Sequence, residues 1–125
     1  GNPVACSAAL ATLELVEGGL MANAAAMGDF ALDALAEIQS RHRSVGEVRG
    51  KGLMAGAELV LDHGSKRPDH ELRERVLQEA FHRGLLLLGA GESALRVVPA
   101  LSIDQGLLDE GLQILEASLS AAEGR

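Results

Sequence analysis

Arg96 is the side chain whose setting most needs a chemical explanation. It stands inside the apolar run Leu95-Arg96-Val97-Val98, directly after the glycine-rich stretch Gly89-Ala90-Gly91-Glu92. A guanidinium in a strand of that kind must find a partner, because burying an unpaired charge is costly. Two partners are compatible with the residues. One is internal, an ion pair with Glu58. The other is a substrate carboxylate, gripped by the planar fork of the guanidinium through two parallel hydrogen bonds. On the residues alone the ion pair comes first.

The other reactive residues point to little chemistry. Lys51 lies between Gly50 and Gly52 and could in principle form a Schiff base. Nothing near it would hold a pyridoxal ring, so it reads as a surface lysine in a turn. Gly46 to Gly52 superficially resembles a phosphate loop, but only three residues separate Gly46 from Gly50. Gly52 also stands where a Ser or Thr would bind magnesium. Gly89 to Ala94 has the glycine spacing of a dinucleotide fingerprint, yet it leads into a β-rich run and not into a helix. His42, His63, His70 and His82 have no zinc-ligand spacing and are expected to be solvated, with His42 and His82 near helix C-termini. Cys6, the single cysteine, reads as a buried or interface filler among small residues. It excludes an intrachain disulfide and a metal site built on cysteine, and it suits a reducing, cytoplasmic setting.

The elements that must position Arg96 can be read from caps and periodicity. Asn2-Pro3 starts a helix that runs to about Glu17 and stops at Gly18-Gly19. Its small side chains, Ala5-Cys6-Ser7-Ala8-Ala9, suit a helix wedged between two other bodies. A second helix covers Met21 to His42, with Met27, Phe30, Ala31, Ala34, Leu35 and Ile38 at helical spacing. Asp29, Asp33, Glu37 and Arg41 form its opposite stripe. Gly46 to Gly50 is a short strand. Leu53, Ala55, Ala57, Leu59 and Leu61 alternate onto one face of the next strand. After a polar loop, a third helix runs from Asp69 to Arg83 with Leu72, Val76 and Ala80 inward and Gly84 at its end. Leu85 to Leu88 and Leu95 to Val98 are strand candidates, and Pro99 ends the second. A last helix begins near Asp104 and carries Leu108, Leu112, Leu115 and Leu119. The order α-α-β-β-α-β-β-α predicts an α+β fold: a small antiparallel-rich sheet with helices packed on one face, preceded by a long interface helix over residues 1–20.

Composition narrows the partners. The 125 residues make one domain, 47% of them hydrophobic, which suffices for a core at this size. Phe30 and Phe81 are the only aromatic residues, so the core must be aliphatic and a base-stacking platform is absent. The net charge is −7, and residues 1–40 hold five carboxylates and no Lys or Arg. A nucleic-acid partner is therefore not expected. No uninterrupted apolar run reaches membrane-spanning length, and no signal-type segment opens the chain. A membrane is not expected as a partner either.

Four segments, in order, resemble one family. They are Gly1-Asn2-Pro3-Val4-Ala5-Cys6-Ser7-Ala8-Ala9-Leu10, Gly46-Glu47-Val48-Arg49-Gly50-Lys51-Gly52-Leu53-Met54-Ala55-Gly56, Arg83-Gly84-Leu85-Leu86 and Leu95-Arg96-Val97-Val98-Pro99-Ala100-Leu101. The chain is similar, over essentially its whole length, to the C-terminal small domain of class III aminotransferases, a group that includes 4-aminobutyrate, ornithine and acetylornithine enzymes. The resemblance implies a fold-type I parent dependent on pyridoxal 5'-phosphate (PLP). The lysine that holds the cofactor, and the acid facing its pyridine nitrogen, would belong to a large domain preceding Gly1. A threonine just before Gly1-Asn2-Pro3 would reach the cofactor phosphate of the neighbouring subunit. The implied partners are that large domain, a second subunit of a homodimer, and amino-acid and 2-oxo-acid substrates. Arg96 aligns with the arginine that binds a substrate carboxylate, which reverses the weighting given above. No residue of this chain is expected to bind the cofactor, and the chain alone is expected to be inactive. Pro99-Ala100 stands where many relatives have Pro-Pro. The Gly-Glu-Ser turn before Arg96 also resembles branches that include racemases and epimerases. A non-enzymatic interaction domain pairing through its first helix is the alternative from another class.

Overall fold

A computed structural model describes residues 1–124. The first helix, α1, spans Pro3–Leu15, and the Asn2 side chain caps it by accepting from the Val4 amide at 2.9 Å. The expected stop at Gly18-Gly19 is met by a break in the helix at Gly19, whose φ of 161° and ψ of −24° are not helical. Val16–Leu20 forms a π-helical turn, kinked at Gly19, that passes directly into α2, Met21–Arg41. Glycine costs a helix about 1 kcal/mol and adopts such backbone freely, so the pair is where the first helix ends in a kink and the second begins. The helical stretch Pro3–Arg41, kinked at Gly19, contains an 18-residue window of mean hydropathy 1.4, none of it buried, and so is long and apolar enough to cross a membrane by length and composition alone.

Helix α2 turns Gly28, Ala31, Leu35 and Ile38 inward. Strands β1, Val45–Lys51, and β2, Met54–Leu59, follow as an antiparallel hairpin. Its turn needs Gly52, whose φ is 53°. Gly28 packs against that turn so closely that a Cβ on it would lie 2.4 Å from the Gly52 carbonyl carbon. Helix α3, His70–His82, is capped by Asp69, whose carboxylate accepts from the Leu72 amide at 2.9 Å. Gly84 follows it at φ 88°, the left-handed position that ends many helices. Then come β3, Leu88–Ala90, β4, Ala94–Val97, and α4, Gln105–Ala122, capped by Asp104.

The sheet is wholly antiparallel, in the order β1-β2-β4-β3. Ala55, Ala57, Leu59, Leu95 and Val97 point to one face and share a buried cluster with Leu35 of α2, Leu72 and Val76 of α3, and Leu108, Leu112, Leu115 and Leu119 of α4. This is the expected α+β layering. Two strand expectations need correction. Leu61 is exposed and lies beyond β2, while Val60 is buried in its place; the strand ends at Leu59 and the alternation ends with it. Leu85 to Leu88 is not the strand: only Leu88 belongs to β3, which continues through Gly89 and Ala90. Three residues remain for the hairpin turn, Gly91 to Ser93.

Candidate carboxylate site on the open face of the sheet

The face of the sheet away from the helices carries the functional candidates. Pairing puts Arg49 opposite Gly56, Gly56 opposite Arg96, and Arg96 opposite Leu88. These four positions form one row across all four strands, because side chains opposite one another in a sheet share a face. Gly56 contributes no side chain, so the middle of the row is open. Met54, Leu88 and Val98 are exposed apolar neighbours on this side.

Arg96 is exposed and not buried as its apolar context suggested. The strand alternates: Leu95 and Val97 enter the core, and Arg96 takes the opposite face. The ion pair with Glu58 is not formed. Glu58 is a diagonal neighbour of both arginines, and its Oε2 accepts from Arg49 Nη1 at 2.8 Å. That contact, with Glu47 at 3.6 Å, raises the Arg49 pKa further above its usual range, chiefly through the hydrogen bond to Glu58. Among the described residues Arg96 has no hydrogen-bond or ion-pair partner. It lines a cavity of about 580 Å³ between the Gly84–Leu88 segment, the end of β4 and α4. Apart from Arg96 and Glu110 that cavity is walled by apolar side chains and glycine, among them Leu85, Leu87, Ile103 and Leu108. The cavity lies against α4, on the helix side, whereas the Arg96 side chain stands on the open face; there a cation without a partner among the described residues is suited to a carboxylate.

The remaining candidates fall elsewhere. Lys51 ends β1 and is exposed at the hairpin turn. Gly89 to Ala94 forms strand, turn and strand, with no helix N-terminus to receive a pyrophosphate. Cys6 is exposed on α1, not buried. No group of three His, Cys, Asp or Glu side chains able to hold a metal occurs among the described residues.

His42 departs from expectation. It is buried, with Nδ1 2.8 Å from Glu123 and Nε2 3.5 Å from Glu116. Ser44 Oγ donates to the same Glu123 carboxylate. Arg41 holds Glu116 through two hydrogen bonds, of 2.6 and 3.0 Å. This cluster ties the end of α2 to α4. Glu116 and Glu123 are 75 and 81 residues from their partners, so local sequence gave no sign of it. The Arg49–Glu58 pair was also missed, although oppositely charged residues on the two arms of one hairpin were the available clue.

PLP, the cofactor implied by the resemblance, requires a lysine amine in a pocket and donors for a phosphate. The chain has two lysines, Lys51 and Lys66, both exposed. Neither lines the cavity beside Arg96 or the second one, near Asp62 and His63. The described residues do not fit a PLP site.

Comparison with known proteins agrees with this architecture. Isoleucine 2-epimerase of Lentilactobacillus buchneri is 39% identical over 124 residues, covering 98% of this chain and 28% of that protein. The 4-aminobutyrate aminotransferase of Mycobacterium leprae is 41% identical over 122 residues, covering 95% of this chain and 27% of its own length. The structure of an amine transaminase from an uncultivated Pseudomonas species, in its PLP-bound form, superposes with a TM-score of 0.89 at 35% identity, covering 96% of this chain and 28% of that one. The chain thus spans a little over a quarter of the length of the proteins it matches. A family model for class III aminotransferases matches residues 1–119, and the chain belongs to the class III aminotransferase family.

Proposed function

We propose that this chain is the C-terminal small domain of a PLP-dependent class III aminotransferase and that Arg96 is its carboxylate anchor. The observation that carries the reading is Arg96 on the open sheet face with no partner among the described residues, while Glu58, the carboxylate diagonal to it, is engaged by Arg49. The parent would move an amino group between an amino acid, 4-aminobutyrate or another ω-amino donor, and a 2-oxo acid. Both reactants bear a carboxylate, so one forked cation can orient either. The open position at Gly56 leaves room for the ligand. The carbanion chemistry belongs to the cofactor, held by a large domain of the same protein; this chain supplies binding and orientation.

Residues 1–20 form the interface helix in this reading. No residue of α1 is buried, and Val4, Leu10, Leu13 and Leu15 are exposed. Apolar exposure on that scale marks a protein contact, here with the large domain and the second subunit of a homodimer.

A second reading, racemase or epimerase, is favoured by the 39% identity to isoleucine 2-epimerase. The two separate in one experiment. The full-length holoprotein is incubated with 4-aminobutyrate and, separately, with L-amino acids, each with and without a 2-oxo acid. Amino transfer that requires the 2-oxo acid supports the transaminase, and D-amino acid formed without it supports the racemase. Neither product, from a holoprotein with cofactor bound, would contradict both.

A further inference from the structure

The turn that precedes Arg96 is held from outside the sheet, by Arg73. This residue lies near the start of α3, and its side chain is only 11% exposed. Its Nη1 donates to the Gly91 carbonyl at 3.0 Å. Its Nη2 donates to Glu74 Oε1 at 2.7 Å and meets His70 Nδ1 at 2.8 Å. An arginine can only donate, so Nδ1 is the unprotonated ring nitrogen; its approach to the Glu92 carbonyl at 3.3 Å is then a packing contact. The guanidinium also lies against β3: a Cβ on Gly89 would stand 3.1 Å from Cδ, Nε and Cζ of Arg73. One side chain of α3 therefore touches β3 and the turn that joins it to β4.

That turn governs which residue of the edge strand β3 stands beside Arg96, whose own face is set by the pairing of β4 with β2. β3 has three residues and β4 four, and so short an edge hairpin fixes its own register weakly. Arg96 faces Leu88 in the observed register. A slip of one residue would move the edge strand β3 and put Leu87 or Gly89 in place of Leu88 beside Arg96, removing the side chain that flanks the guanidinium on the open face. The Gly91 turn, with φ 54°, is the point at which such a slip would begin, and it is the point Arg73 grips.

We propose that Arg73 is a positioning residue for Arg96, setting the β3–β4 turn so that the guanidinium of Arg96 meets a substrate carboxylate; this rests on the reading of Arg96 as the anchor. A merely structural Arg73, paired with Glu74 on the helix surface, would affect folding stability alone.

The test uses the full-length holoprotein and the variants Arg73→Met, Arg73→Lys and Arg96→Lys. The readouts are KM and kcat for an amino-acid substrate, the inhibition constant of pentanoate, and thermal unfolding. Pentanoate has a carboxylate and no amino group, so it reports the anchor without the reaction. Arg73→Met should raise KM and the pentanoate constant together by about three- to thirtyfold, with kcat within about twofold, as expected for a misplaced binding group. Arg73→Lys, which retains a donor for Gly91, should recover part of the loss. Unchanged constants with a lowered Tm would overturn the proposal. If Arg73→Met does not fold, Gly89→Ala, whose methyl crowds the guanidinium away from β3, is read on the same constants, and no change in them overturns it equally. A loss in Arg96→Lys with none in the Arg73 variants rejects the positioning role alone; no loss in Arg96→Lys rejects the anchor reading itself.

Discussion

Arg49 and Arg96 stand in one cross-strand row with Gly56 between them, yet Glu58, diagonal to both, pairs with Arg49 at 2.8 Å. Of the two arginines in this row, Arg49 is paired and Arg96 has no partner among the described residues. That asymmetry, more than the presence of an arginine in a strand, is what the proposed carboxylate role of Arg96 rests on.

If Glu58 serves Arg49, removing its charge should not disturb Arg96. In Glu58→Gln, KM for carboxylate substrates in the full-length protein should stay within about twofold of the parent, since an exposed pair of this kind contributes little to stability or geometry. Steady-state kinetics check this. A tenfold rise in KM would return Glu58 to the environment of Arg96.

The pH dependence of folding should register Arg41 and Glu116. The hydrogen bond from Arg41 holds the Glu116 carboxyl below the usual carboxylate range, against a partial desolvation that raises it. A carboxylate whose pKa is depressed on folding adds stability above its unfolded pKa and loses it as the pH falls through the folded one. The contribution is therefore present at neutral pH and fades in the acid range below the ordinary carboxylate value. In Arg41→Gln the Glu116 titration, followed by carboxyl NMR, should move upward, and the acid limb of stability should flatten. An unmoved Glu116 would contradict the assignment.

Gly28→Ala sets local propensity against packing. Alanine is better than glycine within a helix by about 1 kcal/mol, so the sequence alone predicts stabilisation. The new methyl would lie 2.4 Å from the Gly52 carbonyl carbon, and backbone on that side cannot rotate away. We expect destabilisation of about 1–3 kcal/mol by urea unfolding, the usual cost of overpacking. A stabilised variant would mean that α2 does not press on the β1–β2 turn.

Helix α1 buries none of its residues, so in the isolated chain its amides should exchange much faster than those around Leu35 or Val76, unless the chain self-associates. Hydrogen exchange alongside sedimentation checks both. Protection of Val4 to Leu15 equal to the core, in a strictly monomeric sample, would contradict its role as an interface element.

The helices and the layering were legible because their signals are local. Asp69 and Asp104 cap α3 and α4, and Leu72, Val76, Leu108 and Leu112 recur at helical spacing and are buried. The errors arose where local pattern and tertiary setting diverge. Leu85 to Leu87 walls a cavity and does not pair as a strand, which begins only at Leu88. His42 looked like a solvated helix end, and it is buried because carboxylates distant in sequence come to it. Arg96 looked buried because its neighbours are apolar, although alternation within β4 sends it to the other face. The clamp at Arg73 left no trace in the sequence, because one of its partners is a backbone carbonyl and another is the vacancy of a glycine side chain.

The most direct test of the account is Arg96→Lys in the full-length holoprotein, with kinetics and thermal unfolding measured on the same sample. Lysine keeps the charge and loses the two-pronged fork. We predict that kcat/KM for carboxylate-bearing substrates falls about ten- to a thousandfold, equivalent to roughly 1.4–4 kcal/mol of lost transition-state binding, while Tm and cofactor content stay unchanged. Unchanged kinetics with a lowered Tm would contradict the account and make Arg96 a structural residue.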